Sequence, residues 1–448
     1  MVSRRTLPPG PKGHFLTGNW REFYTDQLGF LTECAGKFGD VVRLRFLHVP
    51  VYLLSNPTDI ESVFTSRNFA KPMSLRMPLQ RRIFGHGLLS SQGEDWLHKR
   101  RIIQRAFDHD HLPGYAATVI DCTRELLAGW HANGTRDIYD DMRGLALTIA
   151  TRSLLKIETS EEAATVRDAC KAVTEIFVSQ SGPLWILDNI LPTPNNMRFR
   201  KAIQRIDRFI FDLISRSMTK PDKRGDVLSM LMADRDKDGT PLTLQQLRDE
   251  LATLLFASHE AAALALTWTC YLLAQHEDVQ ASLAAEIRDL PGNRTTLEAS
   301  DLPALRQIRR VVLEAMRLYP PNRSVAREAL NDCEIGGYLV RAGAQILMSQ
   351  WVVHRDSRHF ENPAEFKPKR WTPEFIQRLP KYAYFPFGGG PRVCIGQEFA
   401  MMEAVLVIAA ILQNFKFVLA DGQVIEPCPA ILLRPSSAIR ILVNERRL

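Results

Sequence analysis

Between Thr243 and Gln275 the chain carries one long apolar helix pattern with a charged pair at its middle, and this pairing restricts the fold more than any other stretch. Thr243 and Gln246 form a capping box, in which each side chain satisfies a backbone donor of the other residue, so the helix starts there. Leu251 to Leu273 is long enough, at ~20 residues, to cross a bilayer, but His259-Glu260 falls at its centre, where a charge is costly. The pattern therefore predicts a helix buried in a large protein core. Its middle, Ala257-Ser-His-Glu-Ala-Ala262, is where chemistry is expected.

With 448 residues the chain can bury one very large core or two ordinary ones, because domains run to roughly 100–200 residues each. The expectation is mainly α with a minor β part, as a single domain over 1–448 in which 1–20 form an extended arm. That arm holds Leu7-Pro-Pro-Gly-Pro-Lys12, whose prolines fix φ and cannot donate to a helix or sheet. The hydrophobic share of 45% and charged share of 24% are those of a globular protein. A net charge of +7 spread over this length is thin for a nucleic-acid binder, so no nucleic acid is expected, and it suits an acidic protein partner instead. Seven cysteines, at 34, 122, 170, 270, 333, 394 and 428, form no C-x-x-C pair. Neither a disulfide framework nor a zinc site is indicated, and the pattern is that of a reduced, cytoplasmic protein. Met-Val-Ser-Arg-Arg reaches Pro8 at once, so no signal peptide and no membrane anchor are expected.

Along the chain, Asp40 to Ser55 reads as a hairpin, and Asn56-Pro57 supplies an N-cap and first-turn proline for a helix through Phe64. Met73 to Ser91 is apolar without a steady period, and with Phe177 to Leu191, including Trp185, it is a candidate lining for an apolar pocket. Asp234 to Gly239 copies half of a calcium loop, but Gln245 stands where the bidentate Glu should be, so a solvated turn is expected. Asn331 to Pro386 reads as a connecting meander with short strand-like runs such as Gln345-Ile-Leu-Met348.

The chemistry concentrates in Phe387-Gly-Gly-Gly-Pro-Arg-Val-Cys-Ile-Gly396. Glycines there let the backbone turn tightly and approach a flat macrocycle, and a cysteine before a helix can be held as thiolate by backbone N–H donors. A thiolate ligand pushes electron density onto iron and favours O–O cleavage. Arg392 is placed to pair with a carboxylate of such a group.

This decapeptide fits F-x-x-G-x-R-x-C-x-G, and with four further matches in order the chain resembles the cytochrome P450 family over nearly its whole length. The resemblance implies haem b held by Cys394, with Phe387, Arg392 and Gly396 in its binding loop. Glu314-Ala-Met-Arg317 matches E-x-x-R, and Arg370, in Phe366-Lys-Pro-Lys-Arg-Trp371, matches the arginine that completes a buried structural network in the family. Trp96-Leu-His-Lys-Arg100 matches W-x-x-x-R, implying that Trp96 and Arg100 reach a haem propionate. Arg327 sits where another propionate-binding arginine is often found, with Arg323 a rival.

One position departs from the family pattern. Most members carry an acid and an alcohol on the long helix that relay protons to dioxygen. Here the acid is Glu260, but the alcohol position is Ala261, and the preceding small residue is Ser258. Ser258 could supply the hydroxyl, a substrate hydroxyl could complete the relay, ordered water could suffice, or the enzyme could use peroxide. His259 falls on another face and reads as a packing residue.

The resemblance implies a monooxygenase that inserts one oxygen atom into a hydrophobic small-molecule substrate. No reductase domain fits beside the haem domain, so a ferredoxin or flavodoxin with its reductase is expected as electron source, and a bacterial, monomeric enzyme is preferred. The alternatives are a peroxide-driven or non-hydroxylating enzyme of the same fold and a non-catalytic haem sensor or carrier. Terpenoids, steroids, fatty acids and polyketides all remain open as substrates.

Overall fold

The computed structural model describes residues 7–72, 77–157, 160–179, 193–219, 227–235, 239–291 and 296–446. In chain order the first elements are α1 Trp20–Thr25, α2 Gln27–Phe38, β1 Val41–Phe46, β2 Val49–Leu54, α3 Pro57–Thr65, β3 Phe69–Ala70 and α4 Met77–Phe84. Next come α5 Gly93–Arg105, α6 Leu112–Leu127, β4 Gly134–Asp137, α7 Ile138–Leu155, α8 Ser160–Ser179, α9 Pro194–Thr219, α10 Val227–Ala233, α11 Leu244–Ala274 and α12 Glu277–Arg288. The chain continues through α13 Arg306–Leu318, β5 Val325–Ala329, β6 Cys333–Ile335, β7 Tyr338–Val340, β8 Gln345–Met348, α14 Gln350–Val353 and α15 Pro373–Arg378. It ends with α16 Gln397–Asn414, β9 Phe415–Leu419, β10 Pro427–Pro429, β11 Leu433–Pro435 and β12 Arg440–Glu445. These elements fall into two compact units, one of Met1–Met73, Arg310–Cys394 and Pro427–Ser436, the other of Ser74–Arg309, Ile395–Glu426 and Ser437–Leu448.

The first unit is built on a five-stranded sheet in the order β1-β2-β8-β5-β3. The expected hairpin forms: β1 and β2 pair antiparallel from Val41 with Leu54 to Phe46 with Val49. Alternation decides which side chains go where. Val42, Leu44, Val51 and Leu53 pack with Leu31 and Cys34 of α2, and Val41, Tyr52 and Leu54 pack with Ile60, Phe64, Tyr382 and Phe385. Both faces of β2 are therefore covered, which is why Val51-Tyr-Leu-Leu54 has no polar face. Asn56 caps α3 as its sequence predicts, accepting from Thr58 N at 2.9 Å with Pro57 as first helical residue.

The second unit is helical around α11, which packs along α7 and also meets α9 and α16. The capping box is present: Gln246 N donates to Thr243 Oγ1 at 3.2 Å and Thr243 N to Gln246 Oε1 at 2.8 Å. Among the described residues α11 is the one helix long and apolar enough to cross a membrane, and most of it is buried by its own unit. Nearly all of α16 is buried as well, against α6, α12 and α11. A three-stranded sheet, β4-β12-β9, closes this unit. Of the candidate pocket stretches, Met73, Leu75 and Trp185 lie outside the described residues, as do residues 236–238 of the half calcium loop. Phe84 is described, and it meets Phe256 of α11 edge-on at 5.9 Å.

Candidate functional site

In the first unit the cysteine loop is shaped by close approach to α3. Gly390 has φ +64, and a Cβ there would lie 2.1 Å from Phe64 O; a Cβ on Gly389 would lie 2.2 Å from the Tyr382 ring. Glycine is therefore required at both positions, and Gly390 N donates to the Tyr382 hydroxyl at 3.2 Å. At Gly396 neither the backbone nor the space demands glycine, since its φ is −85 and a Cβ would meet Phe107 at an ordinary 3.5 Å. Cys394 N donates to Phe387 O at 3.0 Å, closing the loop beneath an exposed sulfur. Cys34, Cys122, Cys170 and Cys270 are buried, and burial pushes the Cys34 and Cys122 thiols up to about 11. They are held as thiols, whereas Cys394 and Cys428 are the exposed ones.

Beside this loop the first unit gathers like charges. Burial, then the positive charges of Arg392 and Arg327, pushes the Lys71 ammonium down to about 8, and burial also lowers Arg327. The charges of Arg392 and Arg327 are thus felt at Lys71, after the effect of its burial. Arg323, the rival to Arg327, is engaged elsewhere, donating to Gln27 Oε1 and Ile431 O at 2.9 Å each. Lys71 was invisible to sequence reasoning because no local spacing marks it.

Glu314, Arg317 and Arg370 share one hydrogen-bond network in the first unit. Glu314 and Arg317 are both 0% exposed. Glu314 accepts from Arg317 Nε and Nη2 at 2.9 Å, from Arg370 Nε at 3.1 Å, and from Lys367 N and Trp371 Nε1 at 2.9 Å. Arg317 spends its remaining donors on the carbonyls of His354, Pro363 and Glu365. The Glu314–Arg317 bonds lie within α13, and the bonds to His354, Pro363, Glu365, Lys367, Arg370 and Trp371 tie the meander to it.

In the second unit Trp96 and Arg100 share one face of α5, with the guanidinium 5.7 Å from the indole centroid. On α11 the Ser258 hydroxyl donates to Leu254 O at 2.7 Å, so its proton is committed within the helix. His259 is buried, with Nδ1 2.6 Å from Leu255 O, in keeping with a packing role. Glu260, also buried, accepts the Tyr139 hydroxyl of α7 at 2.7 Å. Tyr139 lies 121 positions away in the chain, and sequence reasoning did not find it. About three turns earlier, Asp249 and Glu250 accept His86 N at 2.8 Å and Leu88 N at 2.9 Å, tying the 85–91 loop to α11. Burial raises the Glu250 carboxyl to about 7.

The family model described as Cytochrome P450 matches residues 8–443. The chain belongs to the cytochrome P450 family. It is similar to cyclooctatin synthase of Streptomyces melanosporofaciens, 33% identical over 96% of this chain and 94% of the relative. It is also similar to pentalenene oxygenase of Streptomyces avermitilis, 29% identical over 91% of each. Among solved structures it matches a cyanobacterial CYP120A1 with retinoic acid bound, at TM-score 0.88 and 25% identity over 99% of this chain and all of that one. The protein is thus a haem-thiolate monooxygenase, an oxidoreductase with haem as cofactor, of a kind that works with redox partners on hydrophobic substrates. The residues present fit that cofactor: an exposed sulfur on a glycine-shaped loop, and three clustered cations suited to a flat group bearing carboxylates.

Proposed function

We propose that Cys394 supplies the thiolate that holds the haem iron, and that Lys71, Arg327, Arg392, Trp96 and Arg100 serve its propionates. The cation cluster supports this reading, because carboxylates would offset the burial, and after it the charges of Arg392 and Arg327, that lower Lys71. Bound haem supplies the reductive activation of dioxygen, with one oxygen atom passing to substrate and the other leaving as water. The chain's part is to hold that group and deliver protons. Glu260 stores a proton donor–acceptor pair with Tyr139, while Ser258 and Ala261 offer no uncommitted side-chain hydroxyl in this conformation. Proton delivery then runs from Glu260 through ordered water or a substrate hydroxyl, in place of the alcohol that most family members use.

The substrate class we infer is a terpene or terpene alcohol, supported by relatives named cyclooctatin synthase, cyclooctat-9-en-7-ol 5-monooxygenase and pentalenene oxygenase. The enzyme acts in the cytoplasm as a monomer, taking electrons from a ferredoxin or flavodoxin with its reductase, which the basic excess of the chain helps to dock. A spectral titration with terpene alcohols, steroids and fatty acids tests the class: tight high-spin shifts confined to fatty acids would overturn it. The departure at Ala261 favours a second reading, a peroxide-driven enzyme. Sustained product formation with peroxide alone, and none with ferredoxin and reductase, would establish that reading instead.

A further inference from the structure

His354 follows α14 in the first unit and is 0% exposed. Its two ends serve different partners. The carbonyl accepts Arg317 Nη1 at 2.9 Å, and the ring Nε2 lies 2.9 Å from Phe385 N. A backbone N–H can only donate, so Nε2 is the acceptor and the ring proton sits on Nδ1. Burial, followed by the charges of Arg317 and Arg355, keeps the imidazole neutral by lowering its pKa well below the usual value. The ring is clamped by Tyr384 at 4.9 Å and Phe385 at 5.3 Å, and the Tyr384 hydroxyl donates to Leu313 O at 2.9 Å. From Phe385 the bonds continue into the cysteine loop: Gly388 N donates to Phe385 O at 2.9 Å, and Cys394 N to Phe387 O at 3.0 Å.

We propose that His354 is a positioning residue for the cysteine ligand, transmitting the rigidity of the Glu314–Arg317 pair to the loop through its acceptor nitrogen on Phe385 N. The inference rests on the reading of Cys394 as ligand and adds a residue that acts through the loop without touching the cofactor. Remove the acceptor and Phe385 N is left buried without its partner, so the start of the loop shifts to find another. The sulfur at its far end then loses its fixed placement. Partners that orient a metal ligand in this way commonly alter metal affinity or activity by roughly 10–100-fold when removed.

The test compares the full-length haem-loaded wild type with His354→Phe, which keeps a ring but no acceptor, and His354→Gln, whose amide oxygen reaches the place of Nε2. Far-UV circular dichroism confirms folding, and the reduced carbon monoxide spectrum reports the ratio of thiolate-type to thiol-type ligation. The expected result is a ratio lowered by about tenfold in His354→Phe and preserved in His354→Gln. A folded His354→Phe with the wild-type ratio overturns the proposal. If His354→Phe does not fold, His354→Asn replaces it, since its shorter amide stops near Nδ1 and cannot reach Phe385 N. Equal ratios in the Asn and Gln variants then overturn the proposal. A wild type without thiolate-type signal overturns the reading of Cys394 itself, a result separable from failure of the His354 role.

Discussion

The Tyr139 hydroxyl donates to Glu260 Oε1 at 2.7 Å, joining α7 to the chemical middle of α11 by one side-chain bond within the second unit. Tyr139 is partly exposed as a residue while Glu260 is buried, and the hydroxyl of the one meets the carboxyl of the other. With alanine at 261 and the Ser258 proton given to Leu254 O, we take this pair as the proton relay of α11.

Tyr139→Phe should therefore uncouple the enzyme while leaving it folded. In reductase-driven turnover, product per electron pair is expected to fall and peroxide release to rise, by roughly 10²-fold, the low end of what positioned proton transfer contributes. Unchanged stoichiometry of product and peroxide would show that Glu260 does not relay protons. By the same logic Ser258→Ala should change coupling little, because its hydroxyl is occupied within the helix.

Breaking the buried pair should be far worse than its spacing suggests. Glu314→Gln or Arg317→Ala leaves an uncompensated charge in a site with no exposure, which costs about 3–5 kcal/mol. Arg317→Lys should fail nearly as badly, because one ammonium cannot replace a guanidinium that serves Glu314 and three carbonyls. Urea unfolding of purified haem-loaded variants measures the loss; a change under about 1 kcal/mol would mean the pair behaves as a surface contact.

Lys71→Met should act in opposite directions on the two forms of the protein. Without haem, removing an ammonium disfavoured first by burial and then by the charges of Arg392 and Arg327 stabilises the chain, by an amount on the order of 1 kcal/mol after solvent screening. With haem, the same change weakens retention of the group. Melting temperatures of apo and haem-loaded protein give both signs, and a variant that destabilises both forms would contradict the cluster as an anion seat.

Glu403 of α16 sets a pH dependence. It is 1% exposed, and burial raises its carboxyl from 4.5 to about 8. Below the lower value both folded and unfolded chains are protonated, and the carboxyl imposes no penalty. As pH rises from there the unfolded chain releases its proton first, so stability falls by about 1.4 kcal/mol per pH unit until the folded group also ionises. Glu403→Gln should match wild type near pH 4.5 and exceed it at pH 8 in chemical denaturation. Parallel stability curves for the two proteins across that range would refute the assignment.

What could be read from the sequence was local. Asn56 capping α3, the Thr243 and Gln246 box, the strand at Gln345 to Met348 and the Glu314–Arg317 spacing all lie within a few residues of one another, where helix and turn geometry dictate contact. Glycine was expected across the cysteine loop, and the structure gives the reason at 389 and 390, where α3 and Tyr382 leave no room for a Cβ, but not at 396. The residues that escaped are those joined across the chain. Tyr139 finds Glu260, His354 finds Phe385, and Lys71 meets Arg327 and Arg392 only after folding brings distant segments together. None of them carries a periodic or motif signal. The Asp249 and Glu250 bonds to the 85–91 loop escaped for the same reason: they look like ordinary helix-surface acids until the loop amides are placed on them.

The reduced carbon monoxide spectrum of the purified protein, taken beside Cys394→His and Cys428→Ser, tests the central claim most directly. Cys428 is the control because it is the other exposed cysteine. Wild type and Cys428→Ser are expected to show a strongly red-shifted Soret band that is lost in Cys394→His. A well-folded wild type with the spectrum of a histidine-ligated globin, or a red-shifted band that survives in Cys394→His, would contradict that claim.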